Sequence, residues 1–232
     1  MLVPRSAVVV FVLLLSAASA GCFGTSEPGL EVTVALSGSV RASGMAGASF
    51  SRAMVTVGAV ELVRCPAAAW RERLVRELFP IAMAHSPTTP TRIGEPFLLD
   101  LLATDGAPRR WATMAPPLDD YCALRLSIEP ADPDTPGLPD DGSLTWRSAV
   151  FEGHADVDGD ERAFVAVATE SAEIELPLDR GMLAEAAPTE LEVRIAPTAW
   201  LDADMIGESP GVLGRSFLAS IGRSVSIART ER

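Results

Sequence analysis

Residues 144–168 read LTWRSAVFEGHADVDGDERAFVAVA. Two strand-like runs, 144–155 and 161–168, flank Val157-Asp158-Gly159-Asp160. Asp-Gly between two such runs is a strong hairpin signal, because both residues tolerate the left-handed backbone that a tight two-residue turn requires. This predicts an antiparallel unit, and the rest of the chain repeats its two-residue period.

Upstream, Leu30, Val32, Val34 and Leu36 alternate with Glu31, Thr33 and Ala35. Val55 and Val57 alternate, the phase slips at Gly58, and Val60 and Leu62 resume before Cys65. A glycine at a phase slip predicts a β-bulge. Residues 97–102 (FLLDLL) form a short apolar run. Cys122, Leu124, Leu126 and Ile128 share one face, opposite Tyr121, Ala123, Arg125 and Ser127. Downstream, Ile174, Leu176 and Leu178 alternate, as do Leu191, Val193 and Ile195. The reading is a mainly β, antiparallel β-sandwich of transthyretin or immunoglobulin type, with one or two short covering helices. The first helix is expected over residues 66–79, with Trp70, Leu74, Val75 and Leu78 on one stripe and Glu72–Arg76 and Arg73–Glu77 as i,i+4 pairs. The second carries Leu213, Phe217, Leu218 and Ile221. Residues 86–96 and 129–143, rich in Pro with Thr or Asp, are expected to be exposed loops without a hydrogen-bond ladder.

The N-terminus has a different pattern. Arg5 precedes the apolar run 7–15, and Ala18-Ser19-Ala20-Gly21-Cys22 follows. A spanning helix needs roughly 20 apolar residues, so this is the layout of a secretory signal peptide. The small-Gly-Cys ending resembles the lipobox of bacterial lipoproteins, although Ser19 stands where those usually carry Leu. That resemblance implies a signal peptide at 1–21, acylation of Cys22 with chains such as palmitate, and a tether at 22–29; the two-residue period, with no loop long enough to separate domains, is read as one β-sandwich domain at 30–232. Phe23 after the cysteine, by resemblance to enteric lipoproteins, implies the outer membrane. The alternative is ordinary cleavage after Ala20, since Ala18-Ser19-Ala20 also fits the small-x-small rule.

Cysteine count bears on the choice. The chain has three, Cys22, Cys65 and Cys122. If Cys22 is acylated, Cys65 and Cys122 remain as a pair able to form a disulfide in an oxidising compartment. Two unlinked buried thiols are the other reading. The phase of the strand holding Cys122 points it toward the core.

Net charge is −12. Such a chain is a poor partner for nucleic acid or anionic headgroups. Membrane contact is then expected through acyl chains, and a protein or small ligand of the envelope is the expected partner. All 19 cationic residues are Arg, and Asn and Gln are absent. Lysine Schiff-base chemistry is excluded, and so is Asn-linked glycosylation.

Three chemical motifs have bland rivals. Gly207-Glu208-Ser209-Pro210-Gly211 satisfies G-x-S-x-G, but that motif works at a strand-to-helix turn with a histidine later in the chain. His85 and His154 both precede Ser209, so a Pro-Gly turn is the expected use and no catalytic residue is assigned. Asp156, Asp158 and Asp160, with His154 nearby, are a candidate calcium or other metal site. However, Glu161 stands where an EF-hand needs Gly, and Val167 where it needs Glu. Asp119-Asp120 and Asp140-Asp141 adjoin Pro or Gly and read as turns.

Several segments together resemble a known family. These are residues 54–62 (MVTVGAVEL), 97–102 (FLLDLL), 116–126 (PPLDDYCALRL), 152–164 and 191–204 (LEVRIAPTAWLDAD). The set is similar to the MbnP-like, methanobactin-associated periplasmic copper-binding family and its relatives. The resemblance implies a β-sandwich and a copper site using His and a modified Trp. Here Trp146 precedes the strand carrying His154. Trp200 follows the closing strand, where a core plug is the plainer role. The expected function is a lipid-anchored, non-enzymatic envelope protein, with periplasmic copper binding or a calcium-binding surface module as alternatives.

Overall fold

The computed structural model describes residues 29–40, 48–65, 88–103, 106–179, 181–183, 188–197, 201 and 203–230. Two sheets enclose one apolar core, as the two-residue period predicts. The chain builds β1 (Val32–Gly38), β2 (Ser49–Arg64), β3 (Arg92–Ile93), β4 (Phe97–Asp100), β5 (Arg109–Met114) and β6 (Tyr121–Ile128). It continues with β7 (Ala149–Val157), β8 (Asp160–Ala168), β9 (Ala172–Pro177) and β10 (Thr189–Ile195). A 3-10 turn (Ala203–Met205), helix α1 (Pro210–Ser224) and β11 (Val225–Thr230) complete the described elements.

The hairpin forms as the Asp-Gly signal predicts. β7 and β8 pair from Ala149↔Ala168 to Val157↔Asp160. Asp158 and Gly159 have φ of 58° and 87°, and the Asp156 carboxylate accepts the Gly159 N–H at 2.8 Å. Both central residues in the left-handed region match the right-handed twist of the strands. One boundary differs from expectation. The strand begins at Ala149 and not at residue 144, because Trp146 adopts φ 61° and breaks the pleat before it.

The larger sheet is organised by β2, which runs for 16 residues. Its strand path is β8-β7-β2-β6-β9, with β3 and β4 also on β2. Val55 pairs with Leu99 and Ala149, and Val57 with Phe97 and Ile128. One edge of β2 therefore holds β4, while β7 and β6 follow each other along its other edge. At their junction Thr56 donates its N–H to Ser148 O (2.9 Å) and accepts from Glu129 N–H (3.2 Å). The predicted bulge lies there, in the register shift between Val57 and Ala59. A Cβ on Gly58 would stand 2.6 Å from the Glu129 carboxyl carbon, so glycine also makes room for the loop that leaves β6.

The smaller sheet has the order β11-β10-β1-β5. Sequence periodicity predicts purely antiparallel pairing, but β1 and β10 run parallel, Val32 beside Thr189 to Gly38 beside Ile195. The whole larger sheet lies between them in sequence, and a long connection permits a parallel neighbour. β1 also departs from its expected alternation, since Thr33 and Ala35 are buried. Both are small, and the Arg110–Glu190 ion pair at 3.2 Å joins the two strands on either side of them.

α1 carries the predicted stripe. Leu213, Phe217 and Ile221 are buried, and the Phe217 ring lies 4.6 Å from that of Phe151. It packs on β8, where Ala166 and Ala168 are small enough for close approach. The other expected helix, 66–79, lies outside the described residues. Three strands were not anticipated: β3, β5 and β11. β3 corrects the reading of 86–96 as wholly exposed loop, since Ile93 pairs with Val60 and is buried. β5 and β11 are edge strands with polar residues on much of their length, so their two-residue period is weak.

Candidate functional site

The cysteines are settled first by strand pairing. Cys65 directly follows β2 and Cys122 is the second residue of β6, its antiparallel neighbour. They are joined in a disulfide with Cα atoms 4.9 Å apart. Beside it the Cys65 N–H donates to Asp120 O at 2.9 Å, and Arg64 pairs with Asp119 at 3.0 Å. Both cysteines are half-buried. The expectation that Cys122 faces the deep core is corrected, because it sits at the end of the sheet, past Leu124, Leu126 and Ile128. Cys22, His85 and Trp200 lie outside the described residues.

The metal candidates divide between the two faces of the hairpin. His154 and Asp156 project from the outer face of β7, with Ala163 and Glu161 opposite them. Asp160 pairs with Val157 and shares the other face, while Asp158 sits in the turn. The Asp156 carboxylate is already used to close the hairpin. Among the described residues no three His, Cys, Asp or Glu side chains gather in a metal-holding group.

Ser209 is the N-cap of α1, followed by Pro210 in the first turn. Its carbonyl accepts the N–H groups of Val212 (2.9 Å) and Leu213 (3.2 Å). The 3-10 turn, not a strand, precedes it. The motif therefore starts a helix, which refines the expected Pro-Gly turn.

The loop between β6 and β7, residues 129–148, carries the most unusual surface residue. It has no hydrogen-bond ladder, as its prolines predict, yet it is pinned at several points. The Ala131 N–H donates to Arg147 O (3.0 Å) and the Trp146 N–H to Ala131 O (2.7 Å). Asp132 accepts from the Asp134 N–H (3.0 Å) and the Thr135 hydroxyl (3.2 Å). Ala131, Thr135 and Leu144 are buried beneath it. On this frame Trp146 is 64% exposed, with φ 61°. A bulky side chain in the left-handed region costs on the order of 1–2 kcal/mol. Trp146→Gly is therefore expected to raise unfolding stability by up to about 1 kcal/mol, after the entropy that glycine adds to the unfolded chain. Urea denaturation checks this. A clear loss of stability would show that the indole supports the fold. In the sequence, Trp146 looked like the start of a strand, and only its position beside a Gly- and Asp-rich stretch hinted otherwise.

Asp141 anchors the same loop. Its carboxylate accepts the Ser143 N–H (2.8 Å) and pairs with Arg52 (2.8 Å), which also reaches Glu152 (3.2 Å). The Ser143 side chain, the Ser143 N–H and Arg52, in that order, hold the carboxyl at about 2, below its ordinary 3.8. The N–H and Arg52 contacts have good geometry, whereas the buried Ser143 hydroxyl makes no well-formed bond. A depressed folded-state value means that the stabilisation is present above about pH 4 and is lost as pH falls toward 2. The stability difference between the native chain and Asp141→Asn should thus shrink over that window. Urea midpoints at pH 7, 4 and 2.5 measure it, and a constant difference would contradict the assignment.

No protein-family model, curated protein or solved structure matches this chain.

Proposed function

We propose that this chain is an exported, lipid-anchored envelope protein with a non-enzymatic binding role, presented by the loop at 129–148. One observation carries the reading: the Cys65–Cys122 disulfide. Disulfides persist in oxidising compartments, which fits export. The bond also takes up two of the three cysteines, leaving Cys22, the residue in the lipobox-like Ala18-Ser19-Ala20-Gly21-Cys22. Acylation at Cys22 gives that remaining thiol a use. A single acyl chain binds membranes only marginally, so the several chains of a lipoprotein cysteine are what hold it there. With net charge −12, the protein body adds no attraction to anionic headgroups. Phe23 assigns the outer membrane within this reading.

The rigid frame beneath an exposed, strained tryptophan supports a binding role over a purely structural one. Tryptophan is over-represented among residues that dominate interface energetics. His154, Asp156, Asp158 and Asp160 do not converge among the described residues, which gives the calcium alternative no comparable support. Expression of Cys22→Ser beside the native chain tests the anchor. The native chain is expected in the membrane fraction, solubilised by detergent, and the variant in the soluble fraction. Equal partitioning of the two would contradict it.

A further inference from the structure

We infer that the groove between β4, the start of β5 and the loop at 129–148 binds a small amphipathic carboxylate, of the medium-chain fatty-acid class. The groove encloses about 370 Å³, within the range of roughly 300–1,000 Å³ usual for small-molecule sites. Its walls are apolar: Met54, Pro96, Phe97 and Leu98 on one side and Pro136 on the other. At the rim, the Arg109 guanidinium lies 5.4 Å from the centre of the Phe97 ring. Stacking on an aromatic face holds a guanidinium in place while its N–H edges stay free to take a carboxylate through two parallel bonds.

Charge complementarity selects the occupant. Arg52, Arg64, Arg92, Arg110, Arg125 and Arg215 all stand within ion-pair distance of a carboxylate. Arg109 has no such partner among the described residues, and neither have Arg147, Arg162, Arg194 and Arg223; Arg109 differs from these in lying over Phe97 at an apolar groove. Asp100 also lines the groove, but its carboxylate oxygen accepts the N–H groups of Leu102 (2.9 Å) and Ala103 (3.2 Å). That oxygen is thereby engaged in closing the turn after β4, while the carboxylate keeps its negative charge. The groove thus offers a stacked guanidinium with no ion-pair partner among the described residues beside an apolar trough. A ligand with one anionic end and a hydrocarbon body matches both features, whereas a neutral alcohol of the same length matches only the trough.

Decanoate and decanol, titrated calorimetrically into the full-length Cys22→Ser chain at pH 7 and below their self-association range, test this. The result does not depend on whether the native chain is acylated. Saturable one-to-one binding of decanoate is expected, about tenfold tighter than decanol, with a similar tenfold loss in Arg109→Gln. Leu98→Glu, which places a carboxylate in the trough, should abolish the decanoate signal while circular dichroism stays native. Equal affinity for acid and alcohol, unchanged binding by Arg109→Gln, or non-saturable partition would each overturn the assignment.

Discussion

Replacing Cys65 and Cys122 together by alanine is expected to lower unfolding stability by about 4 kcal/mol. The disulfide spans 57 residues of sequence, and cross-linking the ends of such a loop removes that much conformational freedom from the unfolded chain. The segment so closed contains β3, β4 and β5, two of which pair with β2 itself. The strands bearing the two cysteines are already neighbours from Arg64↔Tyr121 to Val57↔Ile128. The native ladder should therefore survive the substitution, with the loss falling on the unfolded side of the equilibrium. For a domain of this size, the melting temperature should drop by roughly 10 °C. A calorimetric scan of the double variant beside the oxidised native chain gives the answer. A drop below about 1 kcal/mol would mean that the unfolded chain gains little freedom from breaking the bond.

The second large effect is at the helix. Gly214 lies over the main chain of β8, and a Cβ placed there would overlap the carbonyl of Val167. Because the obstacle is backbone, it cannot move aside as a side-chain tip does. Gly214→Val is expected to lift α1 from the sheet and expose Phe217, which is fully buried against Phe151. Phe217→Ala removes the same anchor from the other side and should cost about 3–5 kcal/mol by itself. If both substitutions act by undocking α1, the double variant will cost much less than their sum, since the two residues serve one packing event. Full additivity would show that Gly214 and Phe217 act separately. β11 follows α1 without a break and forms the edge of the smaller sheet, so undocking should also raise hydrogen exchange across Val225–Thr230.

Local signals in the sequence were sufficient for much of this architecture. Asp158-Gly159 specified the hairpin because a two-residue turn depends on those two backbone conformations. Gly58 marked the bulge because a phase slip is visible in the order of apolar residues alone. Leu213, Phe217 and Ile221 marked the face of α1 through their spacing. What escaped notice depends on pairing between distant segments. Nothing local to residues 32–38 or 189–195 indicates that they run parallel, or that Thr33 and Ala35 lie buried under the Arg110–Glu190 pair. The arrangement of β6 and β7 along one edge of β2 is equally non-local. It explains why the loop at 129–148 leaves from the bulge and why its far end is pinned at Ala131.

The candidate site was the least legible part. Trp146 looked like an ordinary strand residue, since only the backbone reveals φ 61°. The carboxylates at 156–160 looked like a cluster, and strand register distributed them over two faces. Arg109 had no distinguishing sequence context at all. Its place over Phe97, with no acidic partner among the described residues, emerges only when β4 and β5 are brought together. By contrast, the disulfide was anticipated from the odd cysteine count, although the phase of β6 had placed Cys122 in the deep core.

The measurement that bears most directly on the central claim is the intact mass of the native chain isolated from its own membranes, with fragmentation of the first residues and alkylation of any free thiol. The account predicts a mature chain that begins at Cys22, carries acyl chains on that residue, and takes up no alkylating reagent before reduction. A chain that begins at Gly21 with no lipid and one alkylated cysteine would contradict it.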